Sequence, residues 1–424
     1  MAGARRNPMS WIVEPERKIP VVAETGVLVC GGGFAGVAAA VCAARNGARV
    51  LMIERYGFLG GLVTGGLVIT TPPLDNGINR EVAERLRQRR VYAPLQKPGA
   101  EMIALKMHAI DPEVVKHELT QMLREAGVEL LLHTLIVGSV VEQGAVKGVL
   151  IENKAGRQAI LATMVVDATG DADVAAFSRA PFRVVRKPIT MMFNMAGVDI
   201  DRVLSRVGNW SNLKKVVTEA VAQGELKFEL GTTLEWGTPG VHAECLIHPG
   251  EINVWSGNLR GVNALDPKQL TDAELITRDH VMRLVAYLQD RVPGFEGSWI
   301  ELTSPILGVR ATRQILGGIS PDMQQVRNTT FADTVAKPYA EDTIRLPYGS
   351  LLPQGVDNLL VAGRCISADE EAMGQLRLIP VCSATGQAAG TAAALAVREG
   401  VAPGKLDISR LQKVLTDQGV ALDL

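Results

Sequence analysis

The residues best suited to chemistry lie close to the start of the chain. Gly31, Gly33 and Gly36 form a G-x-G-x-x-G pattern directly after the apolar run Val27-Leu-Val-Cys30. Gly31 permits a tight turn out of a strand, Gly33 lets backbone approach a pyrophosphate, and Gly36 lets the next helix pack closely on a sheet. Phe34 and Ala35 fall in the first turn of that helix, where free N–H groups and a partial positive charge favour phosphate. Glu54 ends the next apolar run, Val50-Leu-Met-Ile53, 23 positions after Gly31. That is near the offset of about 20 for a carboxylate that holds ribose hydroxyls. The bland alternative is a βαβ turn with no ligand. Strand, glycine turn, Ala-rich helix and terminal acid in sequence favour a dinucleotide site, and hence cofactor-dependent redox chemistry.

A second set of residues could act on a substrate. Arginine holds carboxylates and oxyanions through a planar fork of donors. Arg310 and Arg313 are three apart, a spacing that predicts one face of a helix. Arg377 immediately precedes Ile379-Pro380, where a helix is expected to open. For each arginine a salt bridge between domains is the competing role. Proton acceptors are offered by His242, Glu244, His248 and Tyr348. The alternation in Val241-His-Ala-Glu-Cys-Leu-Ile-His248 predicts His242, Glu244 and His248 on one strand face, although a lone histidine often serves only structure. Cys30, Cys42, Cys245, Cys365 and Cys382 are scattered, with no C-x-x-C pair for disulfide exchange and no metal-like Cys/His spacing. No metal is expected.

The elements that must hold these groups read as α/β. The first βαβ unit covers about Val27 to Glu54. Arg55 to Gly66 has five glycines with Phe58, Leu59, Leu62 and Val63, a loop suited to packing on a flat ligand rather than lying in solvent. Residues 79–90 read as an exposed charged helix. Asp111 is placed to cap a helix with Pro112 in its first turn, running to about Ala126. Strands follow over Val128–Leu135, Ile136–Glu142, Val146–Ile151 and Ala159–Val165, three of them in an antiparallel meander. From Pro181 to Tyr339 the texture changes, with strands near Ile189–Val198 and Glu251–Ser256 and helices near Asn212–Gln223 and Asp272–Arg291. Asn358 to Arg364 returns to the earlier style as a buried strand. Proline at the start and small residues throughout make Ile379 onward a helix able to approach its neighbours closely. The expected organisation is a lead-in over 1–20, a nucleotide-binding domain from 21–180 and 340–424, and an inserted α+β substrate or cap domain over 181–339.

The bulk numbers agree with a two-domain enzyme. The chain has 424 residues, 47% hydrophobic, with 44 basic against 45 acidic side chains. No basic surface for nucleic acid is implied, and no apolar run approaches the ~20 residues of a membrane helix. A cytoplasmic enzyme acting on a small molecule is expected, with a homo-oligomer open.

Several motifs together resemble the FAD-dependent oxidoreductases of the glutathione-reductase-like flavoprotein superfamily. They are Glu14-Pro-Glu-Arg-Lys-Ile-Pro-Val-Val22, the Gly31–Gly36 pattern, Leu59-Gly-Gly-Leu-Val-Thr64, Asp167-Ala-Thr-Gly-Asp171, and Asn358-Leu-Leu-Val-Ala-Gly-Arg-Cys-Ile-Ser367 with Gly386-Gln-Ala-Ala-Gly390. The resemblance implies a Rossmann-like fold related to the fumarate reductase and succinate dehydrogenase flavoproteins, with FAD as cofactor. It implies that Gly31, Gly33 and Gly36 surround the pyrophosphate and that Glu54 and Arg55 bind the adenosine ribose. Gly60, Gly61 and Thr64 would run towards the flavin. Val137 would meet the adenine, and Ala168, Thr169 and Gly170 would flank the adenosine side. Gly363 and Arg364 would approach the ribityl or pyrophosphate, and the helix at Ile379 and Pro380 would point at the isoalloxazine. The chain departs from the pattern at Gly26, where aspartate is usual, and at Ala340-Glu-Asp-Thr-Ile344, which lacks an Asp-x-His histidine. The activity expected is hydride transfer between a small organic substrate and noncovalent FAD. A flavin monooxygenase using NAD(P)H and oxygen, or a non-enzymatic protein of the same fold, are the alternatives.

Overall fold

The structure is a computed structural model that describes residues 12–97, 106–227, 235–238 and 241–423. Residues 1–11 of the expected lead-in lie outside the described residues; 12–20 form no regular element. The chain then runs through β1 (Val21–Cys30), α1 (Phe34–Arg45), β2 (Val50–Ile53), α2 (Pro112–Glu125), β3 (Glu129–Leu131), β4 (Leu135–Glu142), β5 (Ala145–Asn153) and β6 (Gly156–Asp167). It continues through β7 (Met192–Ala196), β8 (His242–Cys245), β9 (Ile252–Trp255), α3 (Pro267–Arg291) and β10 (Trp299–Thr303). It returns with β11 (Leu359–Val361) and α4 (Ile379–Glu399).

Among the described residues a seven-stranded sheet has the order β3-β2-β1-β6-β5-β4, with β11 also paired to β6. The pairs β3/β2, β2/β1, β1/β6 and β6/β11 are parallel; β6/β5 and β5/β4 are antiparallel. Parallel strands buried on both faces read as continuous apolar runs, as Val27–Cys30 and Val50–Ile53 do, all buried. Asp111 caps α2 as its type predicts: its side chain accepts from Glu113 N at 2.8 Å and Val114 N at 3.1 Å.

Helix α4 lies against α1 with almost nothing between the backbones. A Cβ at Gly386 would sit 2.1 Å from Ala35 O, and one at Gly390 would sit 2.0 Å from Ala39 O. The small-residue run in the sequence is the means of that approach. The helix expected over 79–90 spans Ile78–Gln88 and is amphipathic rather than exposed, with Ile78, Val82, Ala83 and Leu86 buried.

A second hydrophobic core surrounds a four-stranded sheet of order β8-β9-β7-β10. Phe193, Met195, Ala243, Cys245, Ile252 and Val254 face that core with Trp210, Leu284 and Phe295. Side chains alternate across a strand, so Asn194, Glu244 and Asn253 occupy the opposite face. They are aligned by register and are buried nonetheless. Asn253 Nδ2 donates to Asn194 Oδ1 at 2.8 Å and to Leu67 O at 3.3 Å. That face therefore lies on the glycine-rich segment after β2.

Candidate active site

A cleft opens where β1, α1, β6, β11 and α4 converge. Its glycine turn is shaped by close backbone approach. Gly31 has φ +105°, and a Cβ there would lie 2.5 Å from Ala168 O; only glycine takes this place without strain. A Cβ on Gly36 would lie 1.8 Å from Gly31 O, so Gly36 closes the turn on its helix and does not line the cleft. The glycine-rich segment pairs with this turn: Gly60 N donates to Gly32 O at 2.8 Å. Gly33, Phe34, Ala35, Gly60 and Gly61 all line the cleft. Thr64 instead fixes the segment internally, its hydroxyl donating to Leu59 O at 2.5 Å.

The buried Glu54 is held by two backbone donors, Gly32 N at 2.6 Å and Tyr56 N at 2.8 Å. Each carboxylate oxygen retains a lone pair for a ligand hydroxyl. Arg55 lines the same wall and lies over the Tyr56 ring. Ala168, Thr169 and Gly170 follow β6 into the cleft. Asp167 below them is fully buried; burial pushes its carboxyl up to about 6 against hydrogen bonds from Thr169 and Ala175. A smaller extension adjoins Glu54, Arg55 and Thr169 and is lined by Thr134, Leu135 and Ile136. Val137, the next residue of β4 after Ile136, does not line this extension.

At the other end stand Gly363, Arg364, Ile306, Arg377, Ile379 and Cys382. Pro380 is in the first turn of α4 but off the cleft wall, its carbonyl accepting from Asn79 Nδ2 at 3.0 Å. Both α1 and α4 begin without a capping side chain or an acid in the first turn, so their N–H groups are left for an anionic ligand. Arg364 donates to Val309 O at 2.6 Å and stands 3.9 Å from Asp171. Burial, and next the neighbouring Arg364, hold the Arg377 guanidinium below its ordinary value. Burial pushes the Cys382 thiol up to about 11, against the pull of Arg364 and Arg377.

Other candidates lie elsewhere. Arg310 and Arg313 do not share a helix face: Arg310 is in irregular chain, and Arg313 opens the short strand Arg313–Ile315. Gly308, whose added Cβ would lie 2.6 Å from Thr190 O, is pinned against another segment, which fixes this stretch as extended chain. Arg313 pairs with Asp173 at 2.8 Å. Arg310 donates to Pro188 O, and burial followed by Arg377 lowers it to about 10. His242 and Glu244 do share a face of β8, with Nε2 2.5 Å from Glu244 Oε1. His248 does not; β8 ends at Cys245 and His248 turns to Asp111 at 3.6 Å. Tyr348 is buried away from the cleft, donating to Pro403 O at 3.1 Å, and burial pushes its phenol up.

Sequence reasoning missed Tyr56, Leu62, Val68, Ile306 and Cys382 as cleft residues. Cys382 had a usable signal, since it lies one helical turn after Ile379. Ile306 had none, as nothing local distinguishes it.

The fit to a dinucleotide is therefore structural: a turn that would collide with any Cβ at Gly31, two open helix N-termini, and a buried ribose-type carboxylate along one cleft. This is the site of a Rossmann-type flavoprotein. The chain belongs to the FAD dependent oxidoreductase family, whose model matches residues 26–343 and 338–415, and its cofactor is FAD. Its fold is similar to that of p-nitrophenol 4-monooxygenase PnpA from Pseudomonas putida DLL-E4. They share 15% identity, covering 94% of this chain and 87% of that one, with TM-score 0.52. It is also similar to a geranylgeranyl bacteriochlorophyll reductase-like protein from Thermoplasma acidophilum. There the identity is 16%, covering 94% and 85%, with TM-score 0.51. Both likenesses are of fold. No curated protein matches the sequence. No helix among the described residues is long and apolar enough to cross a membrane.

Proposed function

We propose that the protein transfers a hydride between a small organic substrate and noncovalently bound FAD. The observation that carries this reading is the α4 end of the cleft, where an uncapped helix start and Arg377 stand beside the apolar Ile306 and Ile379. Bound FAD supplies the two-electron carrier. The chain supplies its binding and polarisation. The Gly31–Ala35 turn holds the pyrophosphate, Glu54 holds the ribose, and Thr134–Ile136 border the adenine. The first turn of α4 stabilises negative charge beside it.

The segment 181–339 acts as the cap over the 21–180 and 340–424 domain, and its sheet face supplies the substrate side. Anaerobic screening of small organic substrates, read as loss of flavin absorbance at ~450 nm, checks the reading. Bleaching by substrate alone is expected. Bleaching only by NAD(P)H, followed by oxygen uptake and hydroxylation, would make the protein a monooxygenase. A colourless protein that takes up no FAD would leave the fold without the chemistry. Acid precipitation should release the flavin into the supernatant.

A further inference from the structure

Among the described residues Arg55 and Arg364 line the cleft with Arg377, and Arg310 and Arg313 are the other candidate arginines; each of these four has a partner. Arg55 lies over Tyr56, Arg310 donates to Pro188 O, Arg313 pairs with Asp173, and Arg364 is held by Val309 O and Asp171. Arg377 differs. Its side chain lines the cleft, is half-buried, and carries no hydrogen bond or ion pair among the described residues. A guanidinium withdrawn from water without a counter-charge is costly. Here the cost is compounded by other cations: Arg364 and Arg310 are near enough to act on it or be acted on by it. Asp171 is tied elsewhere, accepting from Thr312 Oγ1 at 2.7 Å. The cleft that Arg377 lines has apolar residues in its wall, among them Ile306, Ile379, Val63 and Leu62.

We infer that Arg377 is the anchor for a carboxylate on the substrate, so that the substrate class is small organic acids with an apolar body. This rests on the hydride-transfer reading of the same site. The planar fork of donors matches a carboxylate through two parallel hydrogen bonds. The apolar wall takes the rest of the molecule. The other source of negative charge is the cofactor's own pyrophosphate, and a tetrahedral oxyanion is the other geometry.

The test uses the FAD-loaded protein at constant ionic strength. Acetate, benzoate and sulfate are titrated, with binding read by calorimetry and by perturbation of the flavin spectrum. Wild type should bind benzoate more tightly than acetate, and sulfate at least tenfold more weakly than benzoate. Arg377→Met should weaken benzoate at least tenfold with FAD content unchanged, and Arg377→Lys should recover part of the loss. Arg283→Met, at an exposed arginine paired with Asp279 on α3, should bind as wild type does. The inference is overturned if Arg377→Met binds benzoate normally, if sulfate is the preferred anion, or if no carboxylate binds wild type at tens of millimolar. Loss of FAD from Arg377→Met also overturns it, because the guanidinium then serves the pyrophosphate. Should Arg377→Met fail to fold, Arg377→Gln carries the same comparison. Flavin that is bleached only by NAD(P)H would remove the hydride reading while leaving the benzoate result standing.

Discussion

The turn after β1 and the contact between α1 and α4 are assembled from residues with almost no side chain. The unit around β7 to β10 is assembled from large ones. In the first, Gly386 and Gly390 let one helix rest on the carbonyls of another, and Gly31 and Gly36 close a turn on itself. In the second, Trp210, Phe193 and Phe295 fill a core with their own volume. A surface made of backbone can meet phosphate and ribose in one fixed way. The other face of the second unit's sheet carries Glu244, Asn253 and Asn194, all of them buried. The two styles should fail differently when altered.

The largest expected effect is at the helix–helix contact. Gly390→Ala drives a methyl into Ala39 O, where neither backbone can rotate away. It should cost about 5 kcal/mol, at the exceptional end for single substitutions, and should abolish FAD retention. Gly297→Ala in the second unit meets no atom within 4 Å and should stay within about 0.5 kcal/mol. Denaturant melts with flavin content compare the two, and equal stability would break the contrast. Next is Phe295→Ala, which leaves a cavity in the second core and should cost about 3–4 kcal/mol. Its flavin stoichiometry after purification should remain that of wild type. Glu54→Ala should leave the fold intact and raise the FAD dissociation constant ~10- to 100-fold, or about 1.4–2.7 kcal/mol, by equilibrium dialysis.

The smallest effect is one of sign. Burial holds Asp167 at about 6, above its ordinary 3.8, so the folded state keeps a proton the unfolded chain has lost. Its contribution falls as pH rises from about 4 to 6. Burial holds His280 at about 3, below its ordinary 6.5, so there the unfolded chain binds the proton. That contribution is complete above pH 6.5 and is lost as pH falls towards 3. Each slope is at most about 1.4 kcal/mol per pH unit, and in wild type they oppose each other between pH 4 and 6. Urea unfolding across that window should show stability rising with pH in Asp167→Asn and falling in His280→Gln. The same sign in both variants would mean that other groups set the pH dependence across that window.

What the sequence made legible was local. The glycine pattern, the Asp111 cap and the proline-led start of α4 each depend on a few consecutive residues, and each has a fixed geometric meaning. The order of the meander strands followed from alternation and short turns. What stayed hidden depended on register and distance. Val137 is the residue of β4 expected at the adenine, while the extension beside Glu54 is lined by Thr134, Leu135 and Ile136 just before it. Arg310 and Arg313 have helical spacing, yet Gly308 is pinned against Thr190 and the stretch is extended. His248 follows the alternation of β8, but the strand stops three residues earlier. The distinction between Arg377 and the other candidate arginines lies in their partners, Asp173, Asp171 and the carbonyls of Val309 and Pro188. Spacing along the chain does not reveal those partners.

The contact between α1 and α4 also has a bearing on how the protein is made. The phosphate turn is supported from behind by a helix that leaves the ribosome long after it. Until Gly386 and Gly390 reach Ala35 and Ala39, α1 has no backing on that side. Cofactor loading is then a late event in the life of the polypeptide. A nascent chain halted before residue 379 would emerge with its nucleotide motif fully translated and still be unable to capture FAD.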